Sequence, residues 1–298
     1  MTPDTIAALE AAGLDAAETA RSVRDALGED FRYGPDVTSA ATVGELAEVT
    51  GEVVARESGV LAGMPVAFAV LDLLAEDGLA GGGRVTGTVL RADGSRIESG
   101  DAVLRVSGPA AAVLGAERTM LNFLTHLSGI ATATRAWADA IAGTGAVVRD
   151  TRKTLPGLRS LQKYAVRCGG GQNHRLGLGD AALIKDNHVA AAGGIAKAIE
   201  AVRAAAPSVP LEVECDTLDQ VREALETGAR FILLDNMGVA ALREAVAVAR
   251  AFPGVKLESS GGLRLENARE VASTGVDYLA VGALTHSSRA LDLGLDLA

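Results

Sequence analysis

A chain of 298 residues, 48% hydrophobic and 22% charged, is long enough for two domains or one large α/β barrel and apolar enough to bury a core. With 38 acidic residues against 28 basic ones the formal charge is −10, which argues against a general nucleic-acid or membrane-surface role, since both need a basic face. Aromatics are only 3% of the residues, so the core has to come from Ala, Val, Leu and Ile, and two cysteines, Cys168 and Cys215, make no disulfide framework and suit a reducing cytoplasm.

The opening stretch, MTPDTIAALEAAGLDAAE, has neither the basic nor the apolar region of a secretory signal. Thr5 to Leu27 carries apolar residues at helical spacing, and Gly51 to Glu57 alternates like a strand. GVLAGMPVAFAVL (Gly59 to Leu71) is too short to span a bilayer and reads as a buried helix. Gly83 to Ser107 alternates again, and the two turn signals in RADGSRIESGD predict a β-meander. Gly108 to Gly143 is rich in Ala and Leu and interrupted by single glycines, which predicts two or more helices.

From Ala146 the texture changes. Short apolar runs recur (AVVRD, AALIKD, LEVECD, FILLDN, VKLESS, YLAVGA), most of them separated by helical segments. Strand–helix alternation predicts βαβ units and a parallel sheet, at a spacing that suits a (β/α) barrel. The polar residues gather at the ends of these runs. Arg152 and Lys153 follow the first; Lys185 and Asp186 end the second; Glu214 and Asp216 the third; Asp235 and Asn236 the fourth; Glu258, Ser259 and Ser260 the fifth; Gly282 lies in the sixth. A parallel barrel brings all of them to its C-terminal face, where active sites form. Strand ends are commonly more polar than strand middles, but that does not sort cations onto the first two strands and carboxylates onto the next two.

Arg149 to Gly177 holds seven Lys or Arg, one Asp and no Glu, and is broken by Gly169, Gly170 and Gly171. In an acidic protein this predicts a pocket for a ligand with several negative charges, with His174 and Arg175 beside the glycine bend. Glu214 and Asp235, expected at equivalent positions of adjacent strands, form a pair suited to Mg²⁺ shared with phosphates, or simply two strand-end acids satisfied by neighbouring cations. ESSGGL and VGALTHS are glycine- and hydroxyl-bearing turns of the kind that admit a phosphate to backbone N–H groups. Lys185 is either a phosphate-binding cation or a Schiff-base lysine. His126, His174, His188 and His286 show no zinc-site spacing, and His126 reads as a helix histidine near a domain junction. No Walker A motif is present. The residues together fit transfer of a group from a phosphorylated, Mg²⁺-bound donor to an anionic acceptor.

DTRKTLPGLRSLQKYAVRCGGGQNHRLGL, LIKDNH, EVE, LDNM, ESSGG and YLAVGALTHS, with ERTMLNFLTHLSGIAT upstream, resemble the quinolinate phosphoribosyltransferase family over nearly the whole chain. The resemblance implies an α/β fold of type II phosphoribosyltransferase architecture. It would have an N-terminal α/β sandwich domain (residues 1–116, joined by the tail 286–298) and an incomplete (β/α) barrel (residues 117–285). It implies conversion of quinolinate and phosphoribosyl pyrophosphate to nicotinate mononucleotide, pyrophosphate and CO₂, in de novo NAD biosynthesis. It also implies Mg²⁺ and a homodimer with a shared active site, with dimers stacking into hexamers in some members. No nucleic-acid or membrane partner is expected, and the cytoplasm is the expected location.

Carried over by motif, Arg118 would reach a quinolinate carboxylate in the partner subunit. Arg152, Lys153, His174 and Arg175 would line the dicarboxylate pocket, and Lys185 would lie near the reacting centre, where Lys153 would also act. Glu214 and Asp235 would hold Mg²⁺ and the ribose hydroxyls. Ser259, Ser260, Gly261 and Gly282 would hold the ribose 5-phosphate. Four rivals remain: a paralogue linked to molybdenum transport that lacks part of the cationic set, a nicotinate phosphoribosyltransferase, a Schiff-base aldolase using Lys185, and a non-enzymatic ligand-binding module.

Overall fold

The computed structural model describes residues 1–44 and 46–298. The N-terminal helical spacing resolves into α1 (Pro3–Ala11) and α2 (Ala16–Phe31). Gly13 takes a left-handed φ of 70°, and the Asp15 carboxylate then caps α2 by accepting the Glu18 N–H. After α3 (Val37–Thr42) come β1 (Glu48–Ala55) and β2 (Gly59–Val60). The buried helix predicted from Gly59 begins only at Met64, as α4 (Met64–Glu76). Asp93, some thirty residues on, accepts the N–H groups of Gly63 and Met64 at 3.0 Å each, so a distant carboxylate sets where this apolar helix starts. β3 (Thr86–Val89), β4 (Arg96–Ile97) and β5 (Ala102–Pro109) follow. They are not a meander: β3 pairs directly with β5, and β4 pairs with β2 in a separate two-stranded ribbon.

Where two or more helices were expected there is one, α5 (Ala110–Ala140), of 31 residues. Its glycines are places of close approach. A Cβ on Gly129 would lie 2.1 Å from the Arg289 carbonyl oxygen, and one on Gly115 would lie 2.6 Å from the Ala80 methyl. The chain continues through β6 (Val147–Arg149), α6 (Arg159–Cys168), β7 (Ala182–Ile184), α7 (Asp186–Ala192) and α8 (Ile195–Ala205). β8 (Leu211–Cys215), α9 (Leu218–Glu226), β9 (Phe231–Asp235) and α10 (Val239–Ala249) come next. β10 (Lys256–Ser260), α11 (Leu265–Ala272), β11 (Tyr278–Ala280), α12 (Ala283–His286) and β12 (Leu293–Leu297) complete it.

Two compact units result. The first comprises Met1–Ala133, Leu155–Gly170 and Ser287–Ala298, and contains an antiparallel sheet in the order β12-β1-β5-β3. The segments 117–133 and 155–170, expected in the barrel, therefore fall in this unit. Its core includes Leu9, Val23 and Leu27 from the first two helices, Val53 and Leu104 from the sheet, and most of α4.

The second unit comprises Thr134–Thr154 and Gly171–His286, and is built on a six-stranded parallel sheet, β6-β11-β10-β9-β8-β7. Each of the six apolar runs forms one of these strands. β6 and β7 do not pair among the described residues, so the barrel stays open. Period-2 alternation sorts the side chains. Val148, Leu279, Ser259, Leu234 and Cys215 share one row of the register, and all five are buried on the side opposite the polar face.

Candidate active site

The opposite face lines a cavity of about 620 Å³. Leu183, Glu214, Leu233, Asp235, Glu258, Ser260 and Ala280 reach it from five adjacent strands, and Thr151, Arg152, Lys153, His174 and Arg175 come from the segments after β6 and before β7. Lys185, Asn236, Gly261 and Gly262 close the rim.

The carboxylate pair needs one correction. Glu214 lies opposite Leu233, so Asp235 stands two residues further along its own strand rather than level with it. The two still share a face, because side chains repeat every second residue. Lys185 Nζ bridges to Glu214 Oε2 at 2.5 Å, and Asn236 Nδ2 donates to Asp235 Oδ2 at 2.6 Å, so each carboxylate keeps a second oxygen for a cation. An ammonium held this way is not a free amine, which weighs against the Schiff-base reading of Lys185.

Arg152 and Arg175 supply the cationic end. The Nε of each is buried and has no hydrogen-bond partner, while Arg175 Nη1 donates to the Ala181 carbonyl at 3.0 Å. Burial, and then the neighbouring Arg152, pull the Arg175 guanidinium below its ordinary pKa. Lys153 is fixed through its backbone: its N–H donates to Thr151 Oγ1 at 3.0 Å and its carbonyl accepts from Thr285 Oγ1 at 2.8 Å. Gly282 is not part of the lining. A Cβ there would come within 3.0 Å of Lys153 Cδ, so its smallness makes room for that lysine.

The hydroxyl and glycine residues divide. Ser260 faces the cavity in register with Asp235 and Ala280. Ser259, expected beside it on a phosphate, faces the other way, 2% exposed and level with Leu234 and Leu279, because adjacent strand residues point to opposite faces. Gly261 and Gly262 both adopt left-handed backbone, and a Cβ on Gly261 would lie 2.2 Å from Asn236 Oδ1. Arg118 is an exposed residue of α5 and does not line the cavity. His126, also in α5, accepts from Gln162 Nε2 at 2.9 Å, and burial lowers its pKa.

Glu212 was missed from the sequence, and Glu258 and Arg149, noted only as a strand-end acid and as one of the seven cations, turn out to be its neighbours; both acids are buried and Arg149 is half-buried. Counting back two residues from Glu214 along its strand would have found Glu212. Arg149 Nη1 donates to Glu258 Oε2 at 2.6 Å, and its guanidinium stacks 4.6 Å from the Tyr278 ring centre. His174 Nε2 lies 2.8 Å from Glu212 Oε2 and 3.5 Å from Glu258 Oε1. Burial, and then repulsion from Glu212, push the Glu258 carboxyl up to about 7. The trio His174, Glu212 and Glu258 has the spacing of a metal site, with one ligand atom from each within 4.8 Å of the others. The imidazole argues otherwise. Its Nδ1 accepts the Arg175 N–H at 2.7 Å, so Nε2 carries the ring proton and directs it at the carboxylates.

Comparison with known proteins agrees with this geometry. The profile of the quinolinate phosphoribosyl transferase C-terminal domain matches residues 130–296, and that of the N-terminal domain matches residues 36–128. A Mycobacterium leprae protein named nicotinate-nucleotide pyrophosphorylase (carboxylating) is 59% identical over 280 residues, 93% of this chain and 96% of that one. A probable nicotinate-nucleotide pyrophosphorylase (carboxylating) of Bacillus subtilis is 41% identical over 270 residues, 90% of each chain. The solved structure of the Francisella tularensis nicotinate-nucleotide pyrophosphorylase superposes with a TM-score of 0.89 at 37% identity, covering 96% of this chain and 98% of its own. With the two domain profiles together matching residues 36–128 and 130–296, and the strand-end charges converging on one cavity, the chain belongs to the quinolinate phosphoribosyltransferase family.

Proposed function

We infer that this protein transfers the phosphoribosyl group of phosphoribosyl pyrophosphate to quinolinate with loss of CO₂, giving nicotinate mononucleotide and pyrophosphate for NAD biosynthesis. The observation that carries the reading is the pair of buried, unpartnered Nε donors of Arg152 and Arg175 in one cavity with the carboxylates Glu214 and Asp235. A dianionic acceptor satisfies the first pair, and a ribose developing positive charge suits the second. A monocarboxylate such as nicotinate leaves one guanidinium unused.

The chemistry follows from charge. The bond from ribose C1 to pyrophosphate breaks, the pyridine nitrogen bonds to C1, and the ring then withdraws electrons from the adjacent carboxylate, which leaves as CO₂. A proton takes its place on the ring. Arg152 and Arg175 hold the two ring carboxylates in attack geometry, and Lys153 adds a third cation. The Ser260 hydroxyl and the Gly261–Gly262 backbone receive the 5-phosphate, and the Gly282 position leaves space for Lys153. Lys185 balances phosphate charge beside C1. The residues fit Mg²⁺, since Glu214 and Asp235 offer only oxygen and each keeps one oxygen unengaged. Glu214 and Asp235 would hold that ion, which would supply positive charge to offset the pyrophosphate leaving group. Arg118, exposed on α5, suits a reach into the cavity of a second subunit, and the reading includes a homodimer. Among the described residues no helix is long and apolar enough to cross a membrane, and both cysteines are free, which supports a cytoplasmic location.

A spectrophotometric assay with quinolinate, phosphoribosyl pyrophosphate and Mg²⁺, run in parallel with nicotinic acid, tests this. Turnover of quinolinate alone is expected. Turnover of nicotinic acid, or of neither acceptor by folded protein, overturns the dicarboxylate assignment.

A further inference from the structure

The cationic wall rests on a buried acid that never reaches the surface of the cavity's rim. His174 is 8% exposed and both of its ring nitrogens are engaged: Nδ1 accepts the Arg175 backbone N–H at 2.7 Å, and Nε2 faces Glu212 Oε2 at 2.8 Å. A ring that accepts at Nδ1 is not an imidazolium, so it brings no net positive charge to the anion pocket. Its orientation matters instead, because the group it holds is the backbone of Arg175. Asp150, fully buried, pins the same stretch from the other side by accepting the His174 N–H at 2.8 Å and the Asn173 side-chain amide at 2.5 Å. Glu258 does not take the same part, since Arg149 holds its carboxylate at 2.6 Å and its nearer oxygen stands 3.5 Å from Nε2. Glu212 is therefore the acceptor that fixes the ring's tautomer and tilt. A carboxylate in this place works against anion binding by charge alone, which leaves geometry as its contribution.

We propose that Glu212 is a positioning residue: acting through the neutral imidazole of His174, it sets the backbone from which Arg175 reaches the substrate's carboxylate. This rests on the quinolinate reading of the cavity and deepens it. Two opposed consequences separate orientation from charge. Glu212→Gln keeps an oxygen that accepts the Nε2 proton and removes a negative charge near Arg175, so quinolinate KM stays within about threefold of wild type or falls. Glu212→Ala removes the acceptor, so quinolinate KM rises roughly tenfold or more, with kcat at saturation and the KM for phosphoribosyl pyrophosphate nearly unchanged.

The test is steady-state kinetics of wild type, Glu212→Gln, Glu212→Ala, His174→Ala and the His174→Ala/Glu212→Ala double variant, varying quinolinate at saturating phosphoribosyl pyrophosphate and Mg²⁺. If Glu212 acts through His174, the double variant has the same quinolinate KM as His174→Ala alone. Additive effects in that cycle, or an unchanged KM in Glu212→Ala, overturn the proposal. So does a Gln variant as impaired as the Ala one. Glu212→Asp, which withdraws the acceptor by one methylene, replaces Glu212→Ala if the latter fails to fold, and is expected to raise KM in the same direction. Failure of the wild type to use quinolinate would sink the functional reading instead, so the two failures are distinguishable.

Discussion

Replacing Glu258 with Gln should make the protein's stability less sensitive to pH. Glu258 is 1% exposed, and burial with the Glu212 charge raises its carboxyl from 4.5 to about 7. A carboxyl whose pKa is higher in the folded state keeps a proton that the unfolded chain releases. Its folded form is therefore favoured below 4.5 to 7 and loses that advantage as pH rises through this window. At ~1.4 kcal/mol per pH unit the loss amounts to about 3 kcal/mol. Gln does not titrate, and its amide oxygen still accepts from Arg149 Nη1 in place of the 2.6 Å bond. Urea unfolding of both proteins at intervals from pH 5 to pH 8 should show the variant gaining steadily on the wild type, by up to about 3 kcal/mol at the alkaline end. A stability difference that stays flat across this range would refute the reasoning, because it would mean that Glu258 is ionised in the folded protein throughout.

Other outcomes follow from the same geometry. Arg175→Ala should weaken quinolinate binding on the order of a hundredfold, measured by titration calorimetry, and unchanged affinity would show that the pocket is misassigned. Glu214→Ala or Asp235→Ala should lower kcat on the order of a hundredfold while leaving quinolinate binding within about threefold, seen by combining single-turnover kinetics with the same titration. Gly129→Ala places a methyl 2.1 Å from the Arg289 carbonyl oxygen and should cost about 1–3 kcal/mol or more, read as a lower melting temperature and faster proteolysis of the C-terminal segment.

Much of the second unit was legible because its pattern is local. Six short apolar runs, five of them ending in polar residues, name six strands and the face on which their ends meet. The same alternation, followed one residue at a time, also separates Ser260 from Ser259 and brings in Glu212, which reading only the strand ends overlooked. What the sequence could not show depends on distant partners. Gly115 and Gly129 look like helix breaks until Ala80 and Arg289 are seen against them. The start of α4 is set by Asp93, and the short β4 leaves its neighbours to pair with β2. The tilt of His174 depends on a carboxylate 38 positions later, bound across 2.8 Å.

The pairing of β12 with β1 also has a consequence for how the protein is made. The antiparallel sheet receives its outer strand from residues that Arg56 and Asp296 tie together across 240 positions of chain. At ~5–20 residues per second of translation, β1 waits roughly 10–50 s before its neighbour leaves the ribosome. During that interval the strand offers an open row of backbone donors and acceptors to any other nascent chain. Glu48, exposed at the start of β1, then carries charge beside that open edge, while Arg105 engages Glu52 across the β1–β5 pair. The order of synthesis thus gives the solvent face of β1 a part to play in the nascent chain before the sheet is complete.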